Sequence, residues 1–170
     1  MELRKLIRDI PDFPKKGIIF KDITPLLKDP AGLKQTINEM AKLYKNEKID
    51  KVVSMESRGF IIGAALALKL NCGFVPVRKK GKLPHHTLSK EYELEYGTDV
   101  FEIHRDAIDK GERVLIVDDV LATGGTAKAV CDLVNTLKAK IIEVAFVIEL
   151  AELGGRQKLR DYQVFSQIVY

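Results

Sequence analysis

Asp118 and Asp119 are adjacent carboxylates, and three residues later the chain reads Ala122-Thr123-Gly124-Gly125-Thr126. Small and hydroxylated residues opening a helix leave backbone N–H groups free to point at an anion, and the helix dipole favours negative charge there. A P-loop would need G-x-x-x-x-G-K-[ST], and no lysine occupies that place. Two carboxylates beside a bare phosphate would repel it. They suit a ligand that also carries hydroxyls, because a carboxylate accepts hydrogen bonds from a ribose diol. One phosphate next to one diol describes a ribose phosphate. An ordinary turn with a capping threonine would account for Thr-Gly-Gly-Thr alone. It would not account for the longer string of apolar run, paired acids, turn and helix.

Two further groups could act on phosphate. Glu56-Ser57-Arg58-Gly59 follows a second apolar run, and the Arg58 guanidinium suits phosphate oxygens as well as it suits a salt bridge to a neighbouring acid. Arg78, Lys79, Lys80 and Lys82 place four positive charges within five positions, as many as the whole net charge of +4. Such a cluster fits a polyphosphate, a nucleic acid or a solvated loop. Nucleic acid is the poorer fit, because Glu91, Glu93 and Glu95 follow the cluster and would repel a phosphate backbone. His85, His86 and His104 show no zinc-ligand spacing with cysteines or acids, and His85-His86 has no assigned role.

These residues need elements to hold them. Val114 to Val117 is a short apolar, β-branched run of the kind buried on both faces of a parallel sheet, with the acid pair where that strand should end. Val130, Leu133, Val134 and Leu137 mark the helix that follows. Ile49 to Met55 and Phe74 to Val77 are further strands, with a helix from Phe60 to Gly73 between them. Lys140 to Glu149 supplies another strand, and a last one lies near Val164 to Ser166. At the amino terminus Leu3, Leu6, Ile7 and Ile10 recur at helical spacing, so a short amphipathic helix is expected up to Pro11. An irregular segment follows, with a short strand near Ile18 to Phe20, before Asp29-Pro30 launches a helix to about Asn46. Lys80 to Gly97 is long and polar for a connection, as lids are. Tyr92, Leu94 and Tyr96 alternate with glutamates and should pair with Val100 to Ile103 across Gly97.

The chain has 170 residues, 46% hydrophobic and 31% charged, which suits one soluble domain. Its apolar runs are too short to span a bilayer, and the first ten residues lack a signal-peptide core. Cys72 and Cys131 are far apart in apolar surroundings and read as reduced thiols of a cytoplasmic protein.

The string Val117 to Thr126 closely resembles the 5-phosphoribosyl 1-pyrophosphate (PRPP) motif of the type I phosphoribosyltransferases. Pro11 to Leu27, Glu56 to Gly59, Arg78 to Pro84 and Leu94 to Gly97 resemble the adenine-specific branch, so the likeness spans nearly the whole chain. The resemblance implies a single α/β domain with a mostly parallel central sheet flanked by helices. It adds a small N-terminal hood (about 1–33) and a β-arm lid (about 79–103). The implied reaction is adenine plus PRPP giving AMP and pyrophosphate, with Mg2+ held mainly through PRPP and water and no dedicated protein metal ligands. Asp118 and Asp119 would hold the ribose hydroxyls, and Ala122, Thr123, Gly124, Gly125 and Thr126 the ribose phosphate. Glu56, Ser57, Arg58, Gly59, Lys79 and Lys82 would bind pyrophosphate, and Arg78 would do so there or in a partner subunit. Phe20 and Val120 would sandwich adenine, with backbone groups of Ile19 and Lys21 reading its polar edge. From the residues alone, core packing is the better account of Phe20, and the resemblance is what moves it to the base site. Glu95 is one glutamate among several by residue type, and the resemblance assigns it acid–base catalysis. A homodimer without nucleic-acid or membrane partners is implied. A phosphoribosyltransferase for another base, or a PRPP-binding regulator on the same fold, are the alternatives.

Overall fold

The computed structural model describes residues 2–93 and 97–170. A seven-stranded sheet forms its centre. Its parallel part runs β4 (Gly73–Lys79), β3 (Lys51–Met55), β7 (Arg113–Leu121), β8 (Lys140–Glu149) and β9 (Val164–Val169) in spatial order. Two antiparallel strands, β6 (Thr98–His104) and β5 (Thr87–Glu93), extend it beyond β4. The expected mostly parallel sheet is therefore present.

Alternation along the central strands assigns the two faces. Val114 and Ile116 of β7, with Val144 and Phe146 of β8, pack on α4 (Gly125–Thr136) through Val130, Leu133 and Val134. Leu115 and Val117, with Ala145 and Val147, pack on α2 (Pro30–Leu43) and α3 (Arg58–Leu70) through Ile37, Met40, Ile62 and Leu66. Residues apolar at consecutive positions are what a strand covered on both sides requires. Asp29 caps α2 by accepting the Gly32 N–H at 2.6 Å, with Pro30 in the first turn.

The chain leaves β3 toward β4 and leaves β7 toward β8, so the strand order reverses between β3 and β7. Pairing between them stops at Ser54 with Val117, while β7 continues against β8 as far as Leu121 with Glu149. The carboxyl ends of β3 and β7 thus part and leave a crevice at the switch point, the usual ligand position in open α/β sheets.

The amino terminus differs from the helix expected. Leu3–Leu6 is a single 3-10 turn, and β1 (Arg8–Pro11) pairs antiparallel with β2 (Ile19–Asp22). The hairpin is fixed by crossed ion pairs, Arg8 to Asp22 at 2.6 Å and Lys21 to Asp9 at 2.8 Å, between residues directly opposite each other. Ile23 and Leu26, the latter in α1 (Thr24–Lys28), anchor this hood in the core. The polar connection also holds more order than expected, because β5 begins at Thr87 and pairs along its length with β6. Buried Tyr92 stacks on Phe101, ring centres 4.6 Å apart, so the arm is an edge of the sheet packed beside α4. Among the described residues no helix is long and apolar enough to cross a membrane.

Candidate active site

A cleft of about 570 Å³ occupies the crevice between β3 and β7. Its floor carries Asp118, Asp119 and Val120, one side carries Glu56, Ser57 and Arg58, and the hood closes it with Ile19, Phe20 and Lys21. Ala122 and Thr126 lie at the far end, where a smaller adjoining cavity of about 70 Å³ adds Thr123 and Gly124. The acid pair sits inside β7 and not at its end, because the strand continues to Leu121.

Asp118 and Asp119 differ in their surroundings. The Asp118 carboxylate accepts the Asp119 N–H at 2.9 Å and lies where a Cβ on Gly59 would approach to 2.5 Å. Only glycine therefore fits at the first turn of α3. Loss of hydration, then the neighbouring Asp119 charge, holds the Asp118 carboxyl well above the usual carboxylate range. Asp119 is buried and ion-paired to the Arg58 Nε. Arg58 also stands 5.2 Å above the centre of the Phe20 ring. Of the two roles open to Arg58 from sequence, the salt bridge is thus made, with the guanidinium still lining the cleft.

At the α4 start, Gly124 adopts φ +79° and would bring a Cβ within 2.5 Å of the Gly155 carbonyl. Lys128 N–H donates to the Gly124 carbonyl at 3.0 Å, closing the first helical turn. The N–H groups of Thr123, Gly124, Gly125 and Thr126 find no acceptor among the described residues. They form an anion cradle beside the carboxylate pair. The carbonyl of Glu93, at the end of β5, would be 3.4 Å from a Cβ on Gly125, which places the arm against this cradle.

The remaining basic residues stand apart. Arg78 donates to Glu56 at 3.2 Å, and Glu56 also accepts the Lys79 N–H, so this carboxylate ties the ends of β3 and β4 together. Lys79 pairs with Asp99 at 2.9 Å, which raises the lysine's pKa and lowers that of the acid. Neither these two nor Lys82 lines the cleft. Phe20 is half-buried and faces the cleft, not the core. Glu95 lies outside the described residues. Leu150 and Leu153 line the cleft without having been singled out, although they follow an apolar strand at the ligand-bearing end of the sheet.

The phosphoribosyl transferase domain matches residues 22–169. The chain is 60% identical over 166 residues to the adenine phosphoribosyltransferase of Halothermothrix orenii, with 98% of each chain covered. The chain belongs to the adenine phosphoribosyltransferase family. Among solved structures, the adenine phosphoribosyltransferase from Thermoanaerobacter pseudethanolicus superposes with a TM-score of 0.96 at 54% identity, covering 99% and 98% of the two chains. That from Saccharomyces cerevisiae, complexed with D-2,5-dideoxy-2,5-imino-altritol 1,6-bisphosphate and adenine, gives 0.93 at 45% identity, covering 98% and 96%. In adenine phosphoribosyltransferase terms, the cleft here has an aromatic and apolar end at the hood and an anion cradle at α4.

Proposed function

We infer that this chain is an enzyme transferring the 5-phosphoribosyl group from PRPP to adenine, releasing AMP and pyrophosphate, and that the cleft between β3 and β7 is where it does so. The observation that carries the reading is one crevice holding the acid pair, the free N–H groups before α4 and the half-buried Phe20 ring. The yeast relative's complex with adenine and a bisphosphate supports it.

The ribose phosphate takes the N–H groups of residues 123–126, with Ala122 and Thr126 beside it. The ribose diol takes Asp118 and Asp119. PRPP supplies new partners to both members of the Arg58–Asp119 pair, hydroxyls for the acid and phosphate oxygens for the guanidinium. Departure of pyrophosphate leaves positive charge on the ribose ring, above two acids that favour it. Arg58, with Ser57 and the Gly59 backbone, faces the negative charge on the leaving group, where a well-placed donor contributes about 3–4 kcal/mol, and Lys79 and Lys82 swing in from outside the cleft to join it. Lys79 must first leave Asp99. Adenine enters under the hood between Phe20 and Val120, its edge read by the backbone of Ile19 and Lys21, each amide offering donor and acceptor. Glu95 manages the purine proton, a step worth roughly a hundred- to ten-thousandfold.

Mg2+ suits this site as a companion of PRPP. Asp118 and Asp119 are paired hard oxygen donors in the cleft, the donor type that the ion takes. When bound, the ion neutralises pyrophosphate charge. The enzyme works in the cytoplasm, where Cys72 and Cys131 stay thiols. A homodimer is supported by exposed Ile61, Ala64 and Leu68, one stripe on α3.

Pyrophosphate release with PRPP and each of adenine, hypoxanthine, guanine and orotate tests the reading. Release with adenine alone is expected. Equal release with another base would assign the hood to that base, and PRPP binding without turnover on any base would mark a regulator.

A further inference from the structure

Tyr170 sits behind the base end of the cleft and touches both of its walls. Its ring is covered by two cations from the hood side, the Lys21 ammonium 4.1 Å and the Arg4 guanidinium carbon 4.6 Å from the ring centre. Lys21 belongs to β2 directly after Phe20, and its ammonium is shared between this ring and the Asp9 carboxylate at 2.8 Å. Arg4 donates onward to the Val169 carbonyl, so the hood is also tied to the end of β9 just before Tyr170.

The backbone of Tyr170 holds the opposite wall. Its N–H donates to the Glu149 carbonyl at 2.9 Å, and its carbonyl accepts the Ala151 N–H at 2.9 Å. These two bonds bracket Leu150, which lines the cleft and whose own N–H donates to the Leu121 carbonyl at 2.9 Å. Lys21 on the hood side and the segment that carries Leu150 on the sheet side, both of which line the cleft, therefore meet at one residue that does not itself line it.

We propose that Tyr170 is a positioning residue for the purine base, setting the width of the slot between Phe20 and Val120 by holding Lys21 against its ring and Leu150 against its backbone. The role rests on the assignment of adenine to the hood end of the cleft. It acts through the face of the ring, because a cation is drawn to the π-system and not to the hydroxyl. Phenylalanine should therefore replace tyrosine, whereas leucine should fill the space without attracting Lys21 and Arg4. The ribose and phosphate end lies against β7 and α4 at the far end of the cleft, around Ala122 and Thr126, so PRPP should not sense the change.

Steady-state kinetics with each substrate varied in turn separate these effects. Tyr170→Leu is expected to raise KM for adenine about tenfold, with KM for PRPP and kcat within about twofold, and Tyr170→Phe to stay within about twofold throughout. Tyr170→Ala should follow Tyr170→Leu on adenine KM, and the leucine variant keeps the test open if the alanine variant fails to fold. A leucine variant with wild-type adenine KM, or one in which both KM values rise together, overturns the role. Absence of adenine turnover in the wild type is a different result, removing the functional assignment and this role with it.

Discussion

Beside Asp119, with its hydration largely removed, the Asp118 carboxyl is held above its ordinary range, and burial is the larger cause. A carboxyl whose pKa is higher in the folded than in the unfolded chain stabilises the fold fully below its unfolded value. That contribution is lost as pH rises through the folded value. At neutral pH Asp118 is therefore a liability for the fold, retained because a ribose diol needs a carboxylate. Asp118→Asn keeps an oxygen for the Asp119 N–H and removes the charge. Without PRPP, this variant should be more stable than wild type at pH 7 by on the order of 1 kcal/mol, about 2–4 °C in Tm. The gain should shrink as pH is lowered toward 4. PRPP affinity should fall at least tenfold, read by calorimetric titration. A variant less stable at pH 7, or a gap that widens in acid, would contradict this account of Asp118.

At the scale of elements, β7 and α4 do most of the positioning, and the turn between them has the tightest fit. Gly124 combines φ +79° with a backbone carbonyl 2.5 Å from where a Cβ would stand. Gly124→Ala should therefore cost about 2–3 kcal/mol in thermal melts and weaken ribose 5-phosphate binding, since the cradle N–H groups move with the turn. Unchanged affinity would detach the cradle from the phosphate. Both elements were readable because Val114 to Val117 is apolar at every position and Val130, Leu133 and Val134 keep a helical period. The amino terminus was misread for an equally physical reason. Leu3, Leu6, Ile7 and Ile10 fit a helix, but the ladder to Ile19–Asp22 and its crossed ion pairs outweigh local periodicity there. The early start of β5 was hidden by polar residues, since an edge strand covered on one face needs few apolar positions. At the site, residue types pointed to the Asp118–Asp119 floor and the Gly-Gly turn. The choice of Asp119 by Arg58 was not legible, because partners 61 residues apart meet only once β3 and β7 are paired.

At the scale of the whole molecule, α3 joins the cleft to the outside. Its first turn carries Arg58 and Gly59 against the acid pair, and its buried side packs Ile62 and Leu66 on the sheet. Its outer side presents Ile61, Ala64 and Leu68 at helical spacing, with Leu68 84% exposed. A stripe of this kind on a helix that needs no more apolar contact inward is where a second copy would pack, and a symmetric pairing makes α3 meet α3. Because Leu68 touches little in the single chain, Leu68→Glu should change the stability of a protomer by no more than about 0.5 kcal/mol. In a dimer, the same substitution would bring two like charges together in an apolar contact. Light scattering coupled to size-exclusion chromatography should therefore find wild type as a dimer of 170-residue chains and Leu68→Glu as a monomer with unchanged circular dichroism. If α3 carries the interface, the first turns bearing Arg58 are held by the partner as well, and turnover should fall in the monomer while PRPP still binds. A wild-type monomer at micromolar concentration, or a Leu68→Glu protein that stays dimeric, would remove α3 as the contact between copies.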